Sequence, residues 1–209
     1  MPDGAEVVTP ESAADITAVS QLILRERESR DMCYWNRMRD CFHPDSVVNI
    51  SWFKGNGYDF VAGSRDMFER GTCAKHRLGP VLVTLNGKRA VATLSAIIDI
   101  PMALEGVDVI LSAHCLMVYR AEQRDGIWRI FGFEAIYRRD EFTPAVIGNT
   151  PNIDPAALKP YRASYRNLCY SLALNGFTPS NDLPGEDRPE LANALLQEVY
   201  GWAGLDVPT

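Results

Sequence analysis

Residues 76–138, HRLGPVLVTLNGKRAVATLSAIIDIPMALEGVDVILSAHCLMVYRAEQRDGIWRIFGFEAIYR, decide the fold. Runs rich in β-branched and aromatic residues are separated by turn signals: residues 76–85, an Asn86-Gly87 hairpin turn, residues 89–100, a connection over 101–106, residues 107–119, a polar turn over 120–126, and residues 127–138. Short links between long β-type runs predict successive antiparallel strands.

Upstream the period changes. Thr9-Pro10-Glu11 reads as a helix start, with a capping hydroxyl and proline at the first helical position, and Ile16, Val19 and Ile23 carry an apolar face. Arg25-Glu26-Arg27-Glu28-Ser29-Arg30-Asp31 reads as its solvated last turns. Trp35, Met38 and Phe42 restore the helical period until His43-Pro44-Asp45 ends it, which predicts two consecutive helices or one bent helix. Residues 47–53 form a short β-type run closed by Gly55-Asn56-Gly57, and residues 58–70 read as a third helix ended by Gly71. Helices followed by a curved sheet make an α+β fold.

Downstream, a stretch rich in Pro, Asn and Thr runs from Arg139 to Pro155. Two helices are then expected, over residues 156–175 and from a capping-box-like Asp187-Arg188-Pro189-Glu190, the second with Leu191, Leu195, Val199 and Trp202 on one face. The expected division is a domain over 10–140 and an extension over 141–209 whose helices pack on the core or on a partner subunit.

The 209 residues, 46% hydrophobic and 23% charged, suffice for one sizeable core. A net charge of −6, with scattered Lys and Arg, argues against nucleic-acid binding. Residues 1–15 lack a basic and apolar leader, and no 18-residue apolar run occurs, so the expectation is a cytoplasmic protein without membrane contact. Five cysteines, Cys33, Cys41, Cys73, Cys115 and Cys169, without a CxxC pair, fit reduced thiols better than disulfides or a metal site. No phosphate loop, HExxH motif or serine elbow appears, and neither metal nor cofactor is expected.

The order of elements, closing on Asp125-Gly126-Ile127-Trp128-Arg129, resembles the SnoaL-like branch of the NTF2-like, cystatin-like α+β superfamily over about residues 16–137. Members wrap a strongly bent antiparallel sheet into a cone around the helices and include scytalone dehydratase, steroid isomerase, polyketide cyclases and a dehydrochlorinase. In the lyase members an Asp ends the first helical region about fourteen residues before the Asp of a Phe-x-x-Asp-like turn. Phe42-His43-Pro44-Asp45 places Asp31 there. The catalytic His of those members opens the strand after the third helix, which His76 matches, and Trp35 matches the aromatic that follows the Asp. Where one dehydratase branch has Tyr before the Asp this chain has Arg30, and near where the dehydrochlorinase has a pocket Arg on its last strand this chain has Phe133.

The resemblance makes Asp31 and His76 the candidate catalytic pair, the carboxylate orienting an imidazole base. Taken as residues alone, Asp31 also fits a charged helix face beside Arg27 and Arg30, and His76 a satisfied strand histidine. Along the strand containing Leu111, alignment to the family turns Ala113, Cys115 and Met117 into the cone and His114 outward. Trp52, Tyr58, Phe131 and Phe133 are candidate pocket walls, Tyr34 a candidate donor to a substrate oxygen, and His43 an exposed turn residue. The implied function is a cofactor-independent lyase or isomerase acting on a small hydrophobic, cyclic molecule. The alternative is a non-catalytic ligand-binding or scaffolding protein, as NTF2-like oxygenase subunits are. A sheet apolar on both faces predicts a homodimer or higher homo-oligomer, unless the tail helices cover the outer face.

Overall fold

In the computed structural model, which describes residues 8–208, the Thr9 hydroxyl accepts the Ser12 N–H at 3.2 Å and the Ser12 hydroxyl accepts the Thr9 N–H at 2.8 Å. This reciprocal cap opens α1 (Pro10–Asp31). Residues 1–7, part of the segment read for a leader, lie outside the described residues.

The last turns of α1 are not a solvated face. Glu26, Arg27, Ser29 and Arg30 are buried because they continue the inward stripe of Val19, Leu22 and Ile23 at three- and four-residue steps. Cys33, in the left-handed region at φ 61°, then turns the chain into α2 (Trp35–Arg39).

Phe42 does not extend a helix but opens β1 (Phe42–Ile50), and His43-Pro44-Asp45 lies within that strand. Pro44 is tolerated because the ladder to the last strand is interrupted between Phe42 and Val47. His43, expected to be exposed, is 3% exposed, with its Nε2 3.0 Å from the Glu122 carbonyl oxygen. β1 turns back into β2 (Phe53–Gly55), and the Asn56 side chain caps α3 (Gly57–Glu69) by accepting the Asp59 N–H at 2.9 Å.

Residues 76–85 are two strands rather than one. Gly79-Pro80 divides β3 (Lys75–Leu78) from β4 (Leu82–Asn86), and both pair antiparallel with β5 (Arg89–Leu104). β5 continues into β6 (Val107–Arg124) and β7 (Ile127–Pro144), all longer than their sequence patterns suggest. The expected connections over 101–106 and 120–126 shrink to Glu105-Gly106 and Asp125-Gly126, each pair at positive φ as two-residue hairpins of matching twist require.

The sheet runs β2-β1-β7-β6-β5-β3, with β4 also on β5 and β1 parallel to β7. Register shifts between β6 and β7 leave Phe131 and Arg138 without partners, two bulges that bend the sheet and reverse which side chains face inward. The concave face packs on α1 and α3 as the main core.

The expected helix over 156–175 is three pieces: α4 (Pro155–Leu158), a one-turn 3-10 helix over Ala163–Tyr165, and α5 (Arg166–Leu174). Pro160 has no N–H to continue a helix through that stretch. The last helix, α6 (Pro189–Ala203), has no side-chain cap: its N-cap position is Arg188, and Asp187, one residue earlier than the expected cap, accepts from Arg162 and from Ser164, both at 2.5 Å. α6 lays Val199, Tyr200 and Ala203 on Val91, Val118 and Ile136 of the convex sheet face. Among the described residues no helix is long and apolar enough to cross a membrane.

Candidate active site

Asp31 closes α1 and His76 is the second residue of β3, so the helix end and the strand start bring them together. The two carboxylate oxygens are divided between two donors of one residue. Oδ1 is 2.6 Å from the imidazole Nδ1, and Oδ2 accepts the His76 backbone N–H at 2.8 Å. This double attachment fixes the strand position and the ring together. An ionised carboxylate only accepts, so Nδ1 carries the proton and the lone pair sits on Nε2.

The electrostatics favour that state. Burial works to raise the Asp31 carboxyl, but the hydrogen bonds from the His76 ring and backbone and the nearby Arg27 hold it below the usual carboxylate range. Burial lowers the His76 imidazole from its ordinary 6.5, assisted by the Arg27 and Arg30 charges and opposed by Asp31, so the ring is neutral near pH 7. Its side chain is only 5% exposed. The arrangement is a desolvated neutral base with an oriented lone pair.

Arg27, which the sequence reading left as a surface charge, belongs to this site. Its Nη1 lies 3.3 Å from His76 Nε2, while the rest of the guanidinium pairs with the buried Glu26 carboxylate. The guanidinium also sits 4.9 Å from the Phe133 ring centroid, and Tyr119 stacks on that ring at 4.4 Å. Phe133 of the last strand thus has a guanidinium from α1 over it. The available sequence signal was period: residues 19, 22, 23, 26, 27 and 30 form one helical stripe, with charges at its end.

His76, Arg27 and Arg30 share the wall of a cavity of about 420 Å³ between α1, α3 and the concave sheet. Trp52, Cys115, Met117 and Phe133 line it as read from the sequence, and Leu168, Leu172 and Phe177 from the tail narrow its mouth. Burial pushes the Cys115 thiol up to about 12, which makes it a wall and not a thiolate.

Four candidates stand elsewhere. Tyr34, 48% exposed, sits in the turn before α2, and Tyr58, 38% exposed, is on the outer side of the first turn of α3. Phe131 is the bulged residue of β7; it faces the convex side, where it stacks on Trp202 at 5.3 Å. Ala113 faces inward but is packed in the core without reaching the cavity. Asp31 is itself screened from the cavity by His76 and opens instead to a shallow cleft with Arg25, Arg37 and Lys75. His114 points away from the cavity, 3.3 Å from Glu141.

A bent sheet closed over helices, with an acid-oriented imidazole in the wall of a largely apolar cavity, defines an α+β cone fold with an enclosed candidate site. The chain belongs to the SnoaL-like domain family, whose model matches residues 11–134. It is 33% identical to an uncharacterized protein of Emericella nidulans over 76% of this chain and 71% of that one. Among solved structures it resembles a scytalone dehydratase candidate from Novosphingobium aromaticivorans (16% identity, TM-score 0.52, covering 70% of this chain and 97% of that one). It also resembles a hexachlorocyclohexane dehydrochlorinase of Novosphingobium barchaimii (16% identity, TM-score 0.53, covering 68% and 97%). At such identities these two likenesses speak to the fold.

Proposed function

We propose that the protein is a cofactor-independent lyase or isomerase in which His76 moves a proton on a small, largely hydrophobic cyclic substrate. The observation that carries this reading is the 2.6 Å contact between His76 Nδ1 and Asp31, in a residue that lines the cavity wall with its opposite ring nitrogen 3.3 Å from Arg27 Nη1. His76 Nε2 takes a proton from carbon alpha to a carbonyl, and the electron pair moves onto the carbonyl oxygen. Asp31 stabilises the imidazolium that forms. Arg27 Nη1, 3.3 Å from Nε2 and donating to it in the empty site, turns on substrate binding to the oxygen on the adjacent carbon, which frees the Nε2 lone pair and answers the charge that develops on that oxygen. Collapse of the enolate expels water or another leaving group from the β-carbon, or reprotonation elsewhere completes an isomerisation.

The names of the two structural neighbours, a dehydratase and a dehydrochlorinase, both denote eliminations and agree with this chemistry. A purely scaffolding role would need neither an open cavity nor a base kept neutral by burial, so the geometry favours catalysis over the alternative.

Deuterium uptake from D2O at the α-carbon of 2-tetralone, followed by NMR, reads proton abstraction without knowledge of the natural product. Wild-type protein should accelerate exchange, and His76→Ala should lose about 10²–10⁴-fold of that acceleration with unchanged circular dichroism. Equal exchange by the two proteins removes His76 as the base.

A further inference from the structure

Arg30 is a buried charge in the cavity wall that the proton-transfer scheme leaves without a task. It is only 4% exposed, yet among the described residues it has no ion-pair partner. Its single polar contact is from Nη2 to the Met67 sulfur at 3.9 Å, a weak acceptor, and its guanidinium otherwise lies 5.8 Å from the Trp35 ring centroid. A guanidinium has five N–H donors, and leaving them unanswered in a buried place is costly. Burial and the neighbouring Arg27 lower its affinity for a proton, with Asp31 and Glu26 compensating only in part. Arg27 differs in having Glu26 as a bidentate partner.

The composition of the wall points the same way. Arg27, Arg30 and, at the rim, Arg70 line the cavity, and among the described residues not one lining side chain is a carboxylate. This is an inversion in a chain with 27 acidic and 21 basic residues. The remaining wall is mainly aromatic and aliphatic, with Trp52, Phe60 and Phe133 on one side and Ile98, Ile100 and Met117 on the other.

We infer that Arg30 is the anchor for a carboxylate on the substrate, which is therefore a small aromatic or alicyclic acid with its ring against the apolar wall. The planar fork of Arg30 matches a carboxylate bidentately, and the anion supplies the counter-charge that the cavity lacks. Arg70, at the mouth and 5.3 Å from the Phe177 ring centroid, draws anions toward the opening. This inference rests on the proton-transfer reading for the identity of the bound molecule as a substrate, but not for its binding.

Calorimetric titration with 2-naphthoate and with its neutral isostere 2-naphthamide, at pH 7.5, separates charge from shape. The full chain should bind the naphthoate at least about tenfold more tightly than the amide. Arg30→Met should abolish that preference while leaving amide affinity within about threefold, and Arg30→Lys should restore part of it. A wild-type preference below about threefold, including no detectable binding of the naphthoate, overturns the inference whether or not the variants fold. An unchanged preference in a folded Arg30→Met protein overturns it as well. His76→Ala should keep the naphthoate preference, so failure of the base assignment and failure of the anchor are read in different experiments.

Discussion

Two oxygens of Asp31 hold two different atoms of His76, and the chemistry of the site follows from that division. Asp31→Asn cannot serve both contacts as an acceptor, since one of its two terminal atoms becomes a donor. The ring is then free to place its proton on Nε2, which removes the lone pair from the cavity. We expect Asp31→Asn to lower the exchange rate by about 10²–10⁴-fold. The pH profile provides a second reading. In the proposed reaction the active form of His76 is neutral, and burial moves its titration below 6.5, so wild-type activity should be flat across neutrality and fall only as pH drops below that titration. Rates that rise as pH falls from 7 to 6 would contradict a neutral base. Asp31 and His76 were legible in the sequence through their family positions. Arg27 and Arg30 were not, because a run of charged residues ordinarily marks a solvated surface, and only packing shows that they continue the buried stripe of α1.

At the scale of elements, β5, β6 and β7 are the strands most plainly written in the chain, since their β-branched runs are long and their turn pairs distinct. Their phase is less legible. The bulge at Phe131 exchanges the inward and outward sets, so Trp128 and Ile130 face the core before it and Phe133, Ala135 and Tyr137 after it. Period-2 counting from either end therefore misplaces Phe131. The tail shows the opposite case, where a partner decides local structure: Asp187 resembles a helix cap in sequence, but Arg162 and Ser164 claim its carboxylate. α6 stays in place mainly through burial, with Val199 fully enclosed against the sheet. Val199→Asp should cost at least about 3 kcal/mol by enclosing an unpaired charge. That predicts a melting temperature lower by about 6–12 °C. Because α6 is on the convex face and the cavity on the concave one, naphthoate affinity below the melting transition should be unchanged. A melting curve identical to wild type would show that α6 contributes no comparable burial.

For the whole molecule, the cone has an apolar surface on both sides, and the tail serves both. α5 and the residues after it narrow the cavity mouth, while α6 covers the central strands outside. The face expected to drive dimerisation is thus already occupied by the chain's own helix. Truncation after residue 187 should expose Val91, Val118 and Ile136 and raise the association state in size-exclusion chromatography above that of the full chain. A monomeric truncated protein would show that this face does not self-associate. By itself the sequence determined the α+β class, the starts of α1 and α3, the three long strands and the positions of Asp31 and His76, because these follow from local period, turn chemistry and family spacing. Only the tertiary structure decided which charges are buried, which side of β7 faces the cavity, and that the acid and the imidazole meet. Those outcomes depend on contacts between segments tens of residues apart: α1 against β3, β6 against a bulged β7, and α6 against the sheet. The opening stretch of strands supplied the cone, and the last turns of the first helix supplied the charges that distinguish its interior.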